Sequence, residues 1–332
     1  VPVLVLFDRW SHVSRHILIG ITMELSIVTG ALAGWAGMSV WASLAIALAV
    51  IVCGRCLLAL LTFTVSWWFN YQNAEPAPLN LHQRAGMLAR ETGAFIKLFF
   101  YYHPFEPLLN THDPVTALTA REQTPVLLVH GFFVNAGFWV AYKRFFRSRG
   151  FDALYTMNLD PPFCDIDRFA DQLANRIAEV CAHSGRQKVT LIAQSMGGLV
   201  CRAYLAGYGG DHVQKLITLG TPHHGTVLAH LLYGPNIKQM RPGNDWLDKL
   251  NNTQKSLSFS NHISVHDNIV VPQDNARFSS ADEVEYSELG HVSMAFSRSM
   301  MQRVFEELVS EGQKLDKPRQ WAQGYDTYNS SR

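Results

Sequence analysis

The sequence predicts an α/β domain with a mostly parallel sheet, preceded by an N-terminal transmembrane helical hairpin. Two observations carry this: residues 1–70 are almost free of charge, and from residue 125 short apolar runs alternate with amphipathic stretches. With 332 residues and 48% hydrophobic content the chain can fill a sizeable core, which excludes disorder throughout. Lys and Arg number 28 against 27 Asp and Glu, so no global field favours nucleic acid as a partner. Five scattered cysteines, Cys53, Cys56, Cys164, Cys181 and Cys201, form no disulfide framework and read as reduced thiols.

Within residues 1–70 the charged side chains are Asp8, Arg9, Arg15, Glu24 and Arg55. Apolar runs at 17–38 and 41–69 each reach the ~20 residues a helix needs to cross a bilayer. The short link Gly37-Met38-Ser39 implies an antiparallel hairpin, and Trp67, Trp68 and Tyr71 suit an interface. Arg9 and Arg15 before the hairpin, and Arg84, Arg90 and Lys97 after it, place both ends on the cytoplasmic side by the positive-inside rule. A second reading makes the first run a cleaved secretory signal with Ala31-Leu32-Ala33 as its small-residue site, leaving one anchor and a periplasmic domain. Glu24 and Arg55 are costly in lipid; they either pair across the hairpin or Arg55 marks a shorter span. Gly30 and Gly34 have the spacing that permits close helix approach, though chance produces it easily in such a run. Cys53-Gly54-Arg55-Cys56 has redox spacing, but without a preceding strand it reads as two apolar thiols.

A break at Glu75-Pro76-Ala77-Pro78 separates the hairpin from an amphipathic helix expected over 82–102, ending in Phe99, Phe100, Tyr101 and Tyr102. Buried strands are then expected at 126–129, 153–157, 189–193, 213–219 and 263–265, with a further extended stretch at 281–289. Helices are expected at 136–149, 166–182, 198–208 and 293–310. In such a sheet, ligands bind beyond the carboxyl ends of the strands.

The run Ala193-Gln194-Ser195-Met196-Gly197-Gly198 places a serine where a buried strand turns directly into a helix. A nucleophile elbow needs this sharp turn, and small residues beside it so that the segments can close. Ala193 stands where glycine is commoner. The helix points its positive end at the centre, so the N–H of Met196 can face an oxyanion; His130-Gly131-Phe132 follows the first strand and supplies the second donor from Phe132. A serine hydroxyl needs an imidazole base and the base needs a carboxylate, here in the order Ser, acid, His. Asp267, at the end of a strand, is the expected acid, with Asp274 in reserve and Asp245 assigned to a cap. His291, in Gly290-His291, is the expected base. His223, His224, His262 and His266 show no metal-ligand spacing and read as polar loop histidines, while Cys201 reads as packing.

Taken with Gly220-Thr221-Pro222-His223-His224-Gly225, these residues make 125–310 resemble the bacterial α/β-hydrolase lipases and esterases. The resemblance implies the α/β-hydrolase fold, a triad of Ser195, Asp267 and His291, and an oxyanion hole from Phe132 and Met196. It also implies a lipid or acyl-ester substrate and no metal or organic cofactor for the chemistry, although relatives sometimes carry structural Ca²⁺ or Zn²⁺. Rivals are a membrane acyltransferase or thioesterase using the same triad, and a non-catalytic membrane scaffold.

The organisation expected is a hairpin over 1–70, a connecting helix and linker over 71–120, a catalytic domain over 121–315 and a polar tail over 316–332. Between 225 and 260 the rhythm lapses, and Leu228, Leu231, Leu232, Tyr233, Met240, Trp246 and Leu250 suggest a cap over an acyl cleft or an ungated packed excursion. Phe132, Phe133, Phe138 and Trp139 would add apolar walls. The expected location is a bacterial inner membrane with the domain cytoplasmic, the periplasm being the alternative; oligomeric state is not readable.

Overall fold

The structure, a computed structural model, describes residues 10–73, 79–114, 123–253 and 259–310. Asp8, Arg9, the predicted break at 75–78, the tail from 316 and the Tyr71 side chain lie outside the described residues.

Helix α1 (His12–Trp35) starts where Ser11 caps it, its Oγ accepting from Ser14 N at 3.2 Å. That cap brings the start five residues ahead of the expected apolar run. Helix α2 (Val40–Asn73) returns alongside it. His12–Trp35 and Val40–Phe69 are long and apolar enough to cross a membrane. Arg55 Nη2 meets both oxygens of Glu24, at 2.9 and 2.7 Å, so the two charges pair across the hairpin. Gly30 and Gly34 are not a contact seam: a Cβ at either would meet nothing within 4 Å.

The hairpin base is rooted in the rest of the chain. Ser14, fully buried, donates to His103 O at 2.8 Å and accepts from Asn135 Nδ2 at 2.8 Å. At the other root, Ser66 of α2 donates to the carbonyl of Asp267 at 2.8 Å. Helix α3 (Leu81–Lys97) begins in a capping box between Asn80 and Gln83 and runs on into a π turn, Leu98–Tyr102. A short α4 (Glu106–Leu109) follows.

Six strands form one sheet in the order β2-β1-β3-β4-β5-β6, every pair parallel. They are β1 (Val126–Val129), β2 (Leu154–Thr156), β3 (Val189–Gln194), β4 (Val213–Leu219), β5 (Phe259–Ser264) and β6 (Asp282–Tyr286). Helices α6 (Ile166–Ser184) and α7 (Met196–Tyr208) are among those that follow their strands. The uninterrupted apolar run of β1 has a physical cause. Leu127 and Val129 pack into one core, with Phe169, Leu173 and Leu199; Val126 and Leu128 pack into the other, with Trp139, Phe146 and Val304. Alternate side chains of a strand point to opposite faces, and here both are covered.

Within the sheet domain, three elements differ most from expectation. Strand β5 runs Phe259–Ser264 rather than over 263–265, and all six residues are buried. Its polar side chains are satisfied: Asn261 donates to Ala276 O at 2.8 Å, and Ser264 to Leu289 O at 2.5 Å. A strand that buries hydrogen-bonded polar groups does not read as an apolar run. The helices expected at 136–149 and 293–310 each open with a 3-10 turn, Ala136–Trp139 and Val292–Phe296, before α5 (Val140–Arg147) and α10 (Arg298–Ser310). Residues 225–253 hold a 3-10 turn, Val227–Leu231, and the helices α8 (Pro235–Gln239) and α9 (Asp245–Thr253).

From β1 the chain steps first to β2 on one side, then across to β3 on the other. The crevice between the ends of β1 and β3 is therefore the topological switch point, where open α/β sheets place their ligands.

Candidate active site

Ser195 sits at that crevice, directly after β3 and before the first residue of α7, with φ 55° and ψ −129°. A non-glycine residue pays for this conformation in strain, and persists in it only where the surroundings over-determine it. Here they do. A Cβ at Gly197 would come within 2.6 Å of the carbonyl oxygens of both Val129 and His130, so the first turn of α7 packs against the end of β1. The smallness expected at this position is thus imposed by the neighbouring strand.

The loop after β1 is held from below by His130. Its ring is buried, its Nδ1 contacts Gly131 O at 2.9 Å and its Nε2 accepts from Leu159 N at 3.0 Å. Burial pushes its pKa down to about 4, so it is a neutral strut near neutral pH. Phe132 follows, its ring in edge contact with Phe163, and Met196 opens α7, where first-turn N–H groups lack intrahelical acceptors.

The structure brings Asp267 and His291, the expected acid and base, together. Asp267 Oδ2 lies 2.8 Å from His291 Nδ1, both side chains buried, while Asp267 Oδ1 accepts from Ile269 N at 2.7 Å and Val270 N at 2.9 Å. His291 Nε2 faces the side-chain amide nitrogen of Gln194 at 3.0 Å. With Nδ1–H given to Asp267, Nε2 is the acceptor of that bond. Ser195 and His291 line the same cavity, so serine and base share one space, but in this state the amide beside the serine holds the outer nitrogen. Burial depresses the imidazole pKa, yet the charge of Asp267, its hydrogen bond and the charge of Glu91 outweigh this, and the net shift is upward.

Apart from Gly290, the supports of Asp267 and His291 named next are residues that sequence reasoning did not single out. Glu91 of α3, 1% exposed, accepts from Val292 N and Ser293 N, each at 2.8 Å, and so caps the turn that carries His291. Burial pushes its carboxyl pKa up against the pull of those donors. Gly290 makes room for it: a Cβ there would lie 2.3 Å from Glu91 Oε2. Asn268 accepts from His291 N at 2.9 Å and donates to Thr62 of α2 at 2.9 Å. A signal for Glu91 existed, since Met87, Glu91, Ala94 and Leu98 are the buried positions of an amphipathic helix and one is acidic.

The other candidates fall elsewhere. Asp274 is exposed and pairs with Arg277 at 3.1 Å; Asp245 opens α9. His262 lies within β5, which corrects its loop reading, and its Nδ1 contacts the Tyr286 hydroxyl at 2.9 Å; His223 stays in a loop but is fully buried, its Nδ1 contacting Arg202 at 3.1 Å. Cys201 is buried in the core, and burial pushes its thiol pKa well up. Phe132, Phe133 and Phe138 line the cavity, whereas Trp139 is enclosed in the core against Phe138. Leu228, Leu231, Leu232 and Met240 line it from the 225–253 segment, while Trp246 and Leu250 pack into the core and Tyr233 is exposed.

The parallel sheet, with Ser195 at the sharp turn between β3 and α7, has the α/β-hydrolase fold. Residues 124–282 match the family model described as alpha/beta hydrolase fold. The triacylglycerol lipases of Pseudarthrobacter phenanthrenivorans and Burkholderia plantarii are each 34% identical over 118 residues, 33% of this chain and 36% and 32% of those proteins. The chain thus spans about a third of the length of these relatives. Among solved structures, Aspergillus fumigatus lipase B superposes with a TM-score of 0.52 at 18% identity, covering 62% of this chain and 57% of that one, a likeness of fold.

Proposed function

We propose that this protein is a membrane-anchored serine hydrolase cleaving carboxylic esters of acyl chains. The observation that carries the reading is the buried Asp267–His291 pair opening, through the imidazole's outer nitrogen, onto the cavity that Ser195 lines. His291 takes the Ser195 proton once the Gln194 amide gives way, Ser195 Oγ attacks the ester carbonyl, and the N–H groups of Phe132 and Met196 receive the oxyanion. The imidazolium returns the proton to the leaving alkoxide; water, activated by the same base, then releases the acid from the acyl-enzyme.

Similarity to triacylglycerol lipases supports an acyl substrate, as does the largely apolar lining of a cavity of about 770 Å³. Each CH₂ buried there contributes ~0.8 kcal/mol, which favours fatty esters over small polar ones. Two further observations support a retained hairpin in a membrane. Trp35 and Trp41, 94% and 81% exposed, mark its tip, with Trp67 and Trp68 near its base. Cleavage after Ala33 would also strip Ser11 and Ser14 from Asn135. The inner bacterial membrane with a cytoplasmic domain remains our assignment, from the basic residues at the hairpin base.

The test is Ser195→Ala. Hydrolysis of p-nitrophenyl acyl esters and labelling by a fluorophosphonate probe should both vanish while the circular dichroism spectrum is kept; retained turnover rejects the assignment. Faster transfer to an added alcohol than to water would favour the acyltransferase reading instead.

A further inference from the structure

We propose that the two N-terminal helices are the far wall of the acyl-binding site, and that the chain of a membrane lipid ester lies between them and the hydrolase domain with its carbonyl at Ser195. The proposal rests on the hydrolase reading and deepens it. The cavity that reaches Ser195 and His291 is lined along its length by Ile17, Gly20 and Ile21 of α1 and by Leu58, Ala59 and Thr62 of α2. These residues belong to the segments long and apolar enough to span a bilayer.

The other faces of the same turns are apolar and exposed, with Ile19, Met23, Leu57 and Leu61 each more than half bare. A single layer of helix therefore separates the interior of the cavity from the surface that lipid tails would cover, and hydrocarbon is a matched medium on both sides. The wall is fixed relative to the chemistry, because Thr62 bonds Asn268 and Ser66 bonds the carbonyl of Asp267. Further along both helices, Glu24 and Arg55 also line the cavity and neutralise each other. A paired charge is the form in which ionic groups are tolerated at such a depth, and it bounds the apolar stretch.

The experiment uses the full chain in detergent micelles, with p-nitrophenyl butyrate and p-nitrophenyl palmitate as substrates. A Cβ at Gly20 meets nothing within 4 Å and Gly20 lines the cavity, so Gly20→Trp places an indole in the proposed path without a backbone clash. Gly30 lies on the same helix, equally open and away from the cavity, so Gly30→Trp is the control. We expect the ratio of kcat/KM for palmitate to that for butyrate to fall about tenfold or more in Gly20→Trp and to stay within about twofold in Gly30→Trp. Equal loss on both esters, or loss on neither, overturns the proposal. Should Gly20→Trp fail to fold, Leu58→Trp makes the same test from α2. If the unmodified chain turns over neither ester, the hydrolase reading fails separately. The wall is then judged by binding of a fluorescent sixteen-carbon fatty acid: about tenfold weaker in Gly20→Trp than in Gly30→Trp supports it, and equal binding overturns it.

Discussion

Ser195 and the Asp267–His291 pair face one cavity but are built in opposite ways. Ser195 is made by its own neighbourhood: a strand ends, a helix begins, and Gly197 lets the turn close on the end of β1. Asp267 and His291 stand on loops that, besides bonds to Ile269, Val270 and Asn268, are braced from about two hundred residues away by Ser66 and Thr62 of α2 and Glu91 of α3. The difference teaches that the hairpin and connecting helix are structural members of the site. A tether alone would need none of these bonds.

Substitutions can break or sharpen this contrast. The largest effect is expected at the local half, where Ser195→Ala should cost roughly 10⁴-fold or more in kcat with little change in melting temperature. Asp267→Asn should cost roughly 10³- to 10⁴-fold, since the base loses the partner that fixes its tautomer. It should also move the pH profile. The imidazole must be neutral to act, and its pKa is raised chiefly by Asp267 against burial, so activity should fall as pH drops through a value above the ordinary 6.5. Removing the Asp267 charge lowers that pKa and carries the acid limb of residual kcat/KM to lower pH; an unmoved limb would mean that another group titrates.

Glu91→Gln comes next, with about tenfold lost in kcat/KM and an acid limb moved down by a smaller amount, because Glu91 also raises the His291 pKa. Glu91→Ala would leave two buried N–H groups without their acceptor and should cost about 2–6 kcal/mol in chemical denaturation. The smallest effect is expected for Ser66→Ala, about 1 kcal/mol of stability with kcat within about threefold. If the α2 and α3 substitutions left both activity and stability untouched, the distal half of the comparison would collapse and the hairpin would be only an anchor.

The elbow was legible because its demands are local. Strand, serine, small residues and helix follow one another, and β1 and β4 ended where their apolar runs ended. The pairing of Asp267 with His291 was legible from order alone, since each follows a strand of one sheet. What escaped was set by tertiary contacts. β5 hides its polar side chains in hydrogen bonds, Trp139 turns into the core instead of the cavity, and Glu91 is an acidic residue on a face that periodicity marks as buried. Gln194 stood in the motif itself, but only the fold brings its amide to 3.0 Å from His291 Nε2.

That contact has a consequence for the resting protein. With Asp267 on one side of the ring and Gln194 on the other, the imidazole is locked into a single tautomer and one orientation before any ester arrives. The conformational entropy of aligning it is lost once, on folding, rather than at every turnover. In the proposed reaction the Ser195 hydroxyl would meet the imidazole only once an ester displaces the amide, so occupancy of the cavity would arm it.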